Sequence, residues 1–219
     1  MFPIRDSQNS RQFPFVNLTI ISANIYIFAK QIFAPDIEVF ISTYALIPNQ
    51  INFFQLETLM PFITSMFLHA GFLHIISNMW FLWIFGDNVE ATIGHIKYLV
   101  FYLFAGVIAS FVQYTFIADS PLPMVGASGA IAGVLGAYLK FFPRNRIDTI
   151  VPVVGFPLII ALPASFMLIY WFFIQAFNGV ASVVIATASI GGVAYFAHAG
   201  GFASGYLFSR YFVWQRYIK

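Results

Sequence analysis

Long apolar segments alternate with short polar links along most of this 219-residue chain. A helix that spans a membrane needs about 20 mostly apolar residues. The alternation therefore predicts six transmembrane helices, which cover about residues 15–33, 71–87, 98–116, 128–140, 154–177 and 192–213. The second begins near Gly71 or His74, and the fifth is expected to bend at Pro157 and Pro163. Residues 178–190 form an uncharged link.

Two stretches do not fit this alternation. Residues 1–13 form a short polar leader, in which no small-residue cleavage site of a signal peptide is evident. In residues 35–68, polar and proline residues are scattered among aromatic and aliphatic ones: Asp36, Glu38, Pro48, Asn49, Gln50, Asn52, Gln55, Glu57 and Pro61. This pattern predicts a long structured loop whose short amphipathic pieces lie at the membrane interface.

Composition supports an all-α polytopic membrane protein. Hydrophobic residues make up 60% of the chain and charged residues 8%, whereas a soluble domain has about a quarter charged residues. We expect a single membrane domain over residues 1–219. A net charge of +2 without a basic run gives no indication of a nucleic-acid partner. The absence of cysteine excludes disulfides, thiol catalysis and a Cys-ligated metal.

Basic residues indicate the orientation of the chain. The links on the side of the N-terminus carry Arg5, Arg11, Lys97, Lys140, Arg144, Arg146, Arg210, Arg216 and Lys219. The links on the other side carry Asp36, Glu38, Glu57 and Asp119 and no Lys or Arg. Cytoplasmic links are enriched in Lys and Arg, so we predict cytoplasmic termini, which agrees with an even number of spans.

Three polar groups lie at one depth in parallel spans, where polar side chains are functional candidates. Each precedes a charged residue by 12 or 13 positions: Ser128 before Lys140, His198 before Arg210, and His74 before Asp87. A rise of about 1.5 Å per residue places all three roughly 18–20 Å above those charges. In a hydrocarbon core about 30 Å thick, we predict a shared site roughly 10 Å below the outer surface.

The chemistry of these groups indicates acyl transfer. Ser128 becomes a nucleophile if a neighbouring base takes its proton, and His198 is the candidate base. No carboxylate is predicted at that depth, so a Ser–His dyad is expected. The developing oxyanion would be stabilised by His74, Asn78 and the backbone N–H of Ser128, at the start of a helix. Water for hydrolysis would be held by His69, His74 and Asn78.

Other interpretations stay open for these residues. In one of them, Ser128 is only a small packing residue beside Gly129 and Gly133, and the two span histidines are interhelical hydrogen-bond partners. A zinc site of His69, His74 and His198 would need a further ligand or an orienting second shell, and none is evident. We therefore expect no metal or cofactor. Outside the site, we expect a solvated His95, packing amides at Gln113 and Gln175, and interface charges or caps at Asp87 and Glu90.

The motifs that carry these groups resemble those of the rhomboid intramembrane serine proteases, specifically the six-span bacterial and archaeal type. They run from about Leu68 to Gly205: His69-x₄-His74-x₃-Asn78, Gly86-x₃-Glu90, Gly126-Ala127-Ser128-Gly129, and Ala197-His198-x-Gly200-Gly201 followed by Gly205. The chain departs from the family at two places. Phe53-Phe54-Gln55 stands where many members carry Trp-Arg, and Ala132 where some carry an aromatic that packs the catalytic His.

The resemblance implies a six-transmembrane-helix bundle and a serine-type endopeptidase. It implies Ser128 as nucleophile, His198 as base, and His74, Asn78 and the Ser128 amide as oxyanion hole. His69, Gly126, Gly129, Gly201 and Gly205 would support the site. The expected partners are transmembrane protein substrates and the lipid bilayer of a prokaryotic inner membrane, and a monomer suffices.

Two functions of other classes compete with proteolysis. One is an inactive rhomboid-like protein that binds transmembrane clients without cutting them, although inactive relatives usually lack the Ser or the His. The other is a small transporter, which requires carboxylates at mid-depth, and the predicted spans offer none.

Overall fold

Nine α-helices and three strands are present in the computed structural model, which describes residues 1–7, 10, 12–153, 156–184 and 193–217. The helices are α1 (Phe15–Ile32), α2 (Ile37–Tyr44), α3 (Leu56–Leu59), α4 (Pro61–Thr64), α5 (Phe72–Ile93), α6 (His95–Phe116), α7 (Ser128–Phe141), α8 (Ala164–Val184) and α9 (Tyr195–Tyr217). The strands are β1 (Phe2–Asp6), β2 (Arg146–Val153) and β3 (Phe156–Pro163), which form one antiparallel sheet in that order.

The helical membrane bundle predicted from the sequence is confirmed. In the described part of the chain, α1, α6 and α8 are each long and apolar enough to span a membrane. A fourth candidate is the pair Leu56–Phe67 and Phe72–Ile93, whose two parts meet at 81°. Helix α7 has only 14 residues, about 21 Å at 1.5 Å per residue. All of its residues from Gly129 to Leu139 are buried, so it lies inside the bundle.

The predicted start of the fifth span is wrong. Val154 lies outside the described residues, and residues 156–163 pair with β2 as strand β3 instead of forming helix. Helix α8 begins directly after Pro163, because a residue that precedes a proline is biased towards extended backbone. The helix also continues to Val184, into the predicted link 178–190, whose remaining residues 185–190 are not among those described.

Helix α5 continues beyond its predicted end at Gly86-Asp87, as far as Ile93. Its last two turns carry polar groups that find partners on the N-terminal segment. The buried carboxylate of Glu90 accepts hydrogen bonds from the N–H groups of Val16 (2.9 Å) and Asn17 (2.7 Å) and so caps α1, as predicted. The expectation of a solvated His95 is wrong in part, because its 42%-exposed side chain pairs with Glu90.

The loop over residues 35–68 consists of short helical pieces, as predicted. Helices α2, α3 and α4 alternate with two 3₁₀ turns at Pro48–Gln50 and Ser65–Phe67. Phe53, which stands where many family members carry Trp-Arg, packs its ring against Phe111 and Tyr114 of α6. A bridge between Leu46 and Met124, together with a bond from Gly126 N–H to Ser65 O (2.9 Å), fastens the loop to the segment that leads into α7.

The leader also has a structure of its own. Strand β1 pairs with β2, and the indole of Trp80 on α5 donates a hydrogen bond to Pro3 O (2.8 Å). The carboxylate of Asp6 accepts hydrogen bonds from Tyr138 Oη–H (2.6 Å) and from Asn88 Nδ2 (2.9 Å). The leader therefore connects the ends of α5 and α7, the helices that carry His74 and Ser128.

Asp6 is expected to make stability depend on pH. Burial raises the pKa of Asp6 from 3.8 to about 6, while hydrogen bonds from Tyr138 and its own backbone lower it. The folded state thus keeps this proton to a higher pH than the unfolded chain. The contribution of Asp6 to stability is largest below about pH 4 and falls as the pH rises through about 6.

We predict that Asp6→Asn removes this decline, because an amide oxygen still accepts both hydrogen bonds and carries no charge. Melting temperatures in detergent micelles from pH 4 to 8 would measure the difference between variant and parent. The control is Asp148→Asn, which removes the exposed pair with Arg5 (2.7 Å) and should keep the parent's profile. A profile of Asp6→Asn that is parallel to the parent's would contradict the prediction.

Candidate active site

Ser128 is the first residue of α7. The first N–H groups of a helix have no partner within it, and they form the positive end of the helix dipole. The half-buried hydroxyl of Ser128 therefore lies beside free backbone donors and a positive partial charge. This is the environment that the sequence predicted for a residue at the start of an apolar helix.

The imidazole of His198 lies within hydrogen-bond distance of this hydroxyl. His198 is in the first turn of α9, and its Nε2 is 2.7 Å from Ser128 Oγ. The two residues are 70 positions apart, so the contact depends on how α7 and α9 pack. The structure thus joins two of the groups that the sequence placed at one depth.

Glycines make the close approach of α7 and α9 possible. A Cβ on Gly201 would collide with Gly129 O, and a Cβ on Gly205 would collide with Gly133 O. Gly129 and Gly133 of α7, which are four residues apart, are therefore in backbone contact with Gly201 and Gly205 of α9, which have the same spacing. A Cβ on Gly129 would lie 2.6 Å from Ala109 Cβ of α6 and 3.7 Å from Ala197 Cβ of α9.

The second nitrogen of the His198 ring contacts α8. Its Nδ1 is 2.7 Å from Gln175 Oε1, and the ring of Trp171 lies 5.8 Å from the imidazole centroid. The amide of Gln175, predicted to pack between helices, therefore has the ring of His198 as its partner. One feature of the sequence could have indicated this contact. Trp171 and Gln175 are four residues apart, which places an indole and an amide on one face of an apolar helix. Gln113, by contrast, accepts a hydrogen bond from Ala197 N–H (3.1 Å), as a packing amide would.

His74 faces Ser128 across Gly126. A Cβ on Gly126 would lie 2.9 Å from His74 Nε2 and 3.7 Å from Ser128 Oγ, and the φ of +131° at this residue also favours glycine. His74 Nδ1 accepts a hydrogen bond from Ala70 N–H (3.3 Å). A neutral imidazole has one N–H, so the proton is on Nε2, the nitrogen beside Gly126.

Asn78 lies one turn further along α5. Its side chain is buried, and its Nδ2 finds no acceptor among the described residues. Buried donors are nearly always hydrogen-bonded in proteins. A free amide donor one turn from His74 Nε2–H is what an oxyanion-binding pair requires.

His69 is fully buried, and its backbone is held by α1. Gln31 Oε1 accepts from His69 N–H (3.1 Å) and Gln31 Nε2 donates to His69 O (2.7 Å). Gln31 was not singled out in the sequence, where an amide near the end of a span resembles any packing residue. The ring of His69 lies 5.1 Å from that of His74, and both its nitrogens have no partner in the described structure.

Within the described ranges, no three His, Asp or Glu side chains lie close enough to hold a metal ion. The histidines are instead arranged around Ser128, one at Oγ and one across Gly126.

Comparison with known proteins assigns the family. The profile of the Rhomboid domain matches residues 56–215, which is well over half of the chain. The chain belongs to the rhomboid family. The match includes the loop before α5 from residue 56 onward and every residue of the site described above except Gln31 of α1. The chain is an integral membrane protein with this domain. Its relatives include a protease and mitochondrial proteins.

Individual relatives match only parts of the rhomboid domain. The chain is 42% identical over 84 residues to Rhomboid protease GluP of Bacillus subtilis (strain 168), a match that covers 38% of this chain and 16% of that protein. It is 36% identical over 100 residues to Presenilin-associated rhomboid-like protein A, mitochondrial, of Danio rerio, with 44% and 26% covered. The mouse (Mus musculus) Presenilin-associated rhomboid-like protein, mitochondrial, is 35% identical over 122 residues, with 52% and 32% covered. The chain thus spans a third or less of the length of these relatives.

Proposed function

We propose that this rhomboid is an intramembrane serine endopeptidase that cuts transmembrane protein substrates. The observation that carries the proposal is the 2.7 Å contact between Ser128 Oγ and His198 Nε2. A hydroxyl needs a base at this distance to become a nucleophile. The Rhomboid domain match and the protease relative from Bacillus subtilis support the same reaction class.

The reaction begins when Ser128 Oγ attacks the carbonyl carbon of the substrate and its proton moves to His198 Nε2. The new C–O bond makes a tetrahedral intermediate, whose oxyanion accepts hydrogen bonds from His74 Nε2–H, Asn78 Nδ2–H and the Ser128 N–H. The C–N bond then breaks, and His198 gives its proton to the leaving amine. Water repeats the sequence on the acyl-enzyme and releases the acid, which returns Ser128 to its hydroxyl form.

Water must reach a site that lies below the headgroups. The ring nitrogens of His69 are buried and without a partner in the described structure, and such groups are usually satisfied by bound water. We propose that His69 holds water next to His74. Its position is set by Gln31, whose two hydrogen bonds hold the backbone of the turn before α5.

The substrate is proposed to be a single-span membrane protein. A helix hides its carbonyl groups in hydrogen bonds, and within a bilayer they stay paired. A substrate segment must unwind locally before Ser128 can attack. Substrates with Gly, Pro or polar residues in the span, and a small side chain before the cleaved bond, should therefore be preferred.

The bilayer is proposed to be the inner membrane of a prokaryote, with both termini in the cytoplasm. The asymmetry of Lys and Arg supports the orientation. Two of the relatives named above are mitochondrial, and a mitochondrial membrane is the corresponding alternative. Expression with a reporter fused at each end tests the orientation.

The test of the function is cleavage of a reporter transmembrane substrate by the purified protein. Cleavage that depends on both Ser128 and His198 is the expected result. A protein that binds the reporter without cutting it would instead be a client-binding member of the family.

His74→Ala and Asn78→Ala are each expected to lower kcat by about 10²–10³-fold, because each removes one donor to the oxyanion. Since the donor acts in the transition state, KM should change little. Initial rates on the reporter substrate measure both constants. The control is Ser77→Ala on the same helix, whose hydroxyl bonds only to His74 O in its own turn (2.9 Å). Unchanged kcat in both oxyanion variants would contradict the assignment.

A further inference from the structure

We infer that Gln175 is a positioning residue that holds the base His198 in the tautomer and orientation needed for catalysis. The inference rests on the proposed function, in which His198 accepts the proton of Ser128. It adds a third side chain, from a third helix, to the pair. Gln175 lies on α8, whereas Ser128 is on α7 and His198 on α9.

The two contacts of the imidazole determine where its proton lies. The carbonyl oxygen of a glutamine side chain is an acceptor only, so the 2.7 Å contact with Gln175 Oε1 requires an N–H at His198 Nδ1. A neutral imidazole has one N–H, which leaves Nε2 with a lone pair. That lone pair is directed at Ser128 Oγ, also at 2.7 Å. The amide therefore selects the tautomer that can act as a base.

No carboxylate fills this role. All eight acidic residues of the chain are among the described residues, and none forms an ion pair with His198. In Ser–His–Asp enzymes the buried carboxylate orients the imidazole through Nδ1. Gln175 occupies the same position relative to the ring, but it is neutral, so it can fix the tautomer without adding charge stabilisation to the imidazolium.

A second side chain of α8 packs against the imidazole ring and restricts its rotation. Trp171, one turn before Gln175, lies 5.8 Å from the imidazole at 32° and also contacts Phe202 of α9. In this chain Ala132 stands on α7 where some family members carry an aromatic against the His. The support for the ring thus comes from two side chains of α8 that lie one helical turn apart: Trp171 packs against the ring, and Gln175 forms a hydrogen bond with it.

The surroundings of Gln175 favour this role over packing alone. Its neighbours on α8 are Phe172, Phe173, Ile174, Ala176 and Phe177. A half-buried amide in such a helix is costly unless it is hydrogen-bonded. Its side-chain oxygen bonds to the ring of His198, so the base is the partner that satisfies this oxygen.

Two substitutions test the inference. Gln175→Leu removes the acceptor at similar size, and we expect kcat to fall about 10- to 100-fold with KM nearly unchanged, since the wrong tautomer then competes. Gln175→Glu keeps an acceptor at Nδ1, and we expect it to retain most of the parent's kcat. Its added negative charge should move the acidic limb of the pH–rate profile to higher pH by favouring the imidazolium.

The matched control is Gln113→Leu. This amide accepts a hydrogen bond from the backbone N–H next to His198 but does not contact the ring. We expect it to lower the melting temperature and leave the shape of the pH–rate profile unchanged. Full kcat in Gln175→Leu, or equal loss of kcat in Gln175→Leu and Gln175→Glu, would overturn the inference. If Ser128→Ala and His198→Ala still cleave, it is the proposed function that fails instead.

Discussion

Ser128→Ala and His198→Ala are each expected to lower the rate of peptide-bond cleavage by at least about 10³–10⁴-fold. Without the hydroxyl no acyl-enzyme forms, and without the imidazole the hydroxyl keeps its proton. Because the two side chains act as one unit at 2.7 Å, the double variant should lose about as much activity as either single variant, not the product of the two losses. Both substitutions remove atoms at a half-buried site, so the fold should be retained.

This prediction is measured with a fluorescent transmembrane reporter in detergent and again in liposomes. The matched control is Ser204→Ala on α9, whose hydroxyl bonds to Gly201 O in its own helix (2.8 Å) and not to His198. It should cleave at the rate of the parent. Substantial cleavage by Ser128→Ala with a normal melting temperature would mean that another group performs the attack.

Gly205→Ala and Gly201→Ala are expected to have the second-largest effects, on stability and on activity together. The added methyl groups would collide with Gly133 O and Gly129 O. Backbone atoms cannot move aside as a flexible side chain can, so α7 and α9 must separate. Overpacking of a buried contact costs about 1–3 kcal/mol or more, which for a chain of this size lowers the melting temperature by several degrees.

Activity should fall further than stability alone explains. His198 lies one turn before Gly201 on α9, and Ser128 lies directly before Gly129 on α7. Separation of the helices therefore lengthens the Oγ–Nε2 contact, and the base loses its reach. The control is Gly71→Ala, because nothing lies within 4 Å of a Cβ at that position and its backbone is extended. Parent-like melting and cleavage in Gly205→Ala would contradict the close contact of the two helices.

The central part of the site could be predicted from the sequence because depth in a membrane is proportional to residue count. Charged residues mark the interface, so Ser128, His74 and His198 could be placed at one level from their distances to Lys140, Asp87 and Arg210. Gly129 and Gly133 on α7, and Gly201 and Gly205 on α9, have the spacing of four that is typical of close helix contact. The structure brings His74 close to Ser128 across Gly126, although α5 continues past Asp87 to Ile93.

The sheet could not be predicted in this way. Residues 146–163 are almost continuously apolar after Asp148, and apolar runs do not distinguish a buried helix from a strand by periodicity. The usable signal was the set of prolines at 152, 157 and 163, which lack the N–H that a helix interior needs. The end of α5 was placed too early for a related reason, because Glu90 is satisfied by the first turn of α1 and Asn88 by Asp6 of the leader, more than 70 residues away.

The contacts of Gln175 and Gln31 could not be predicted from the sequence, because they depend on tertiary structure. Each is an amide in an apolar helix, and nothing local distinguishes them from Gln113. What separates the three is the partner: the ring of His198 for Gln175, the backbone of His69 for Gln31, and the backbone of Ala197 for Gln113. Partners across a helix bundle are set by rotation and tilt, which the spacing of residues along one helix does not contain.

The most direct measurement of the central claim is covalent capture of the nucleophile. Purified protein would be treated with a fluorophosphonate, which reacts with serines activated by a base, and the adduct located by peptide mass spectrometry. We predict one adduct, on Ser128, that is absent in His198→Ala and is slowed by a transmembrane reporter substrate. No adduct in the folded parent, or an adduct on Ser128 that forms equally fast without His198, would contradict a nucleophile activated by that histidine.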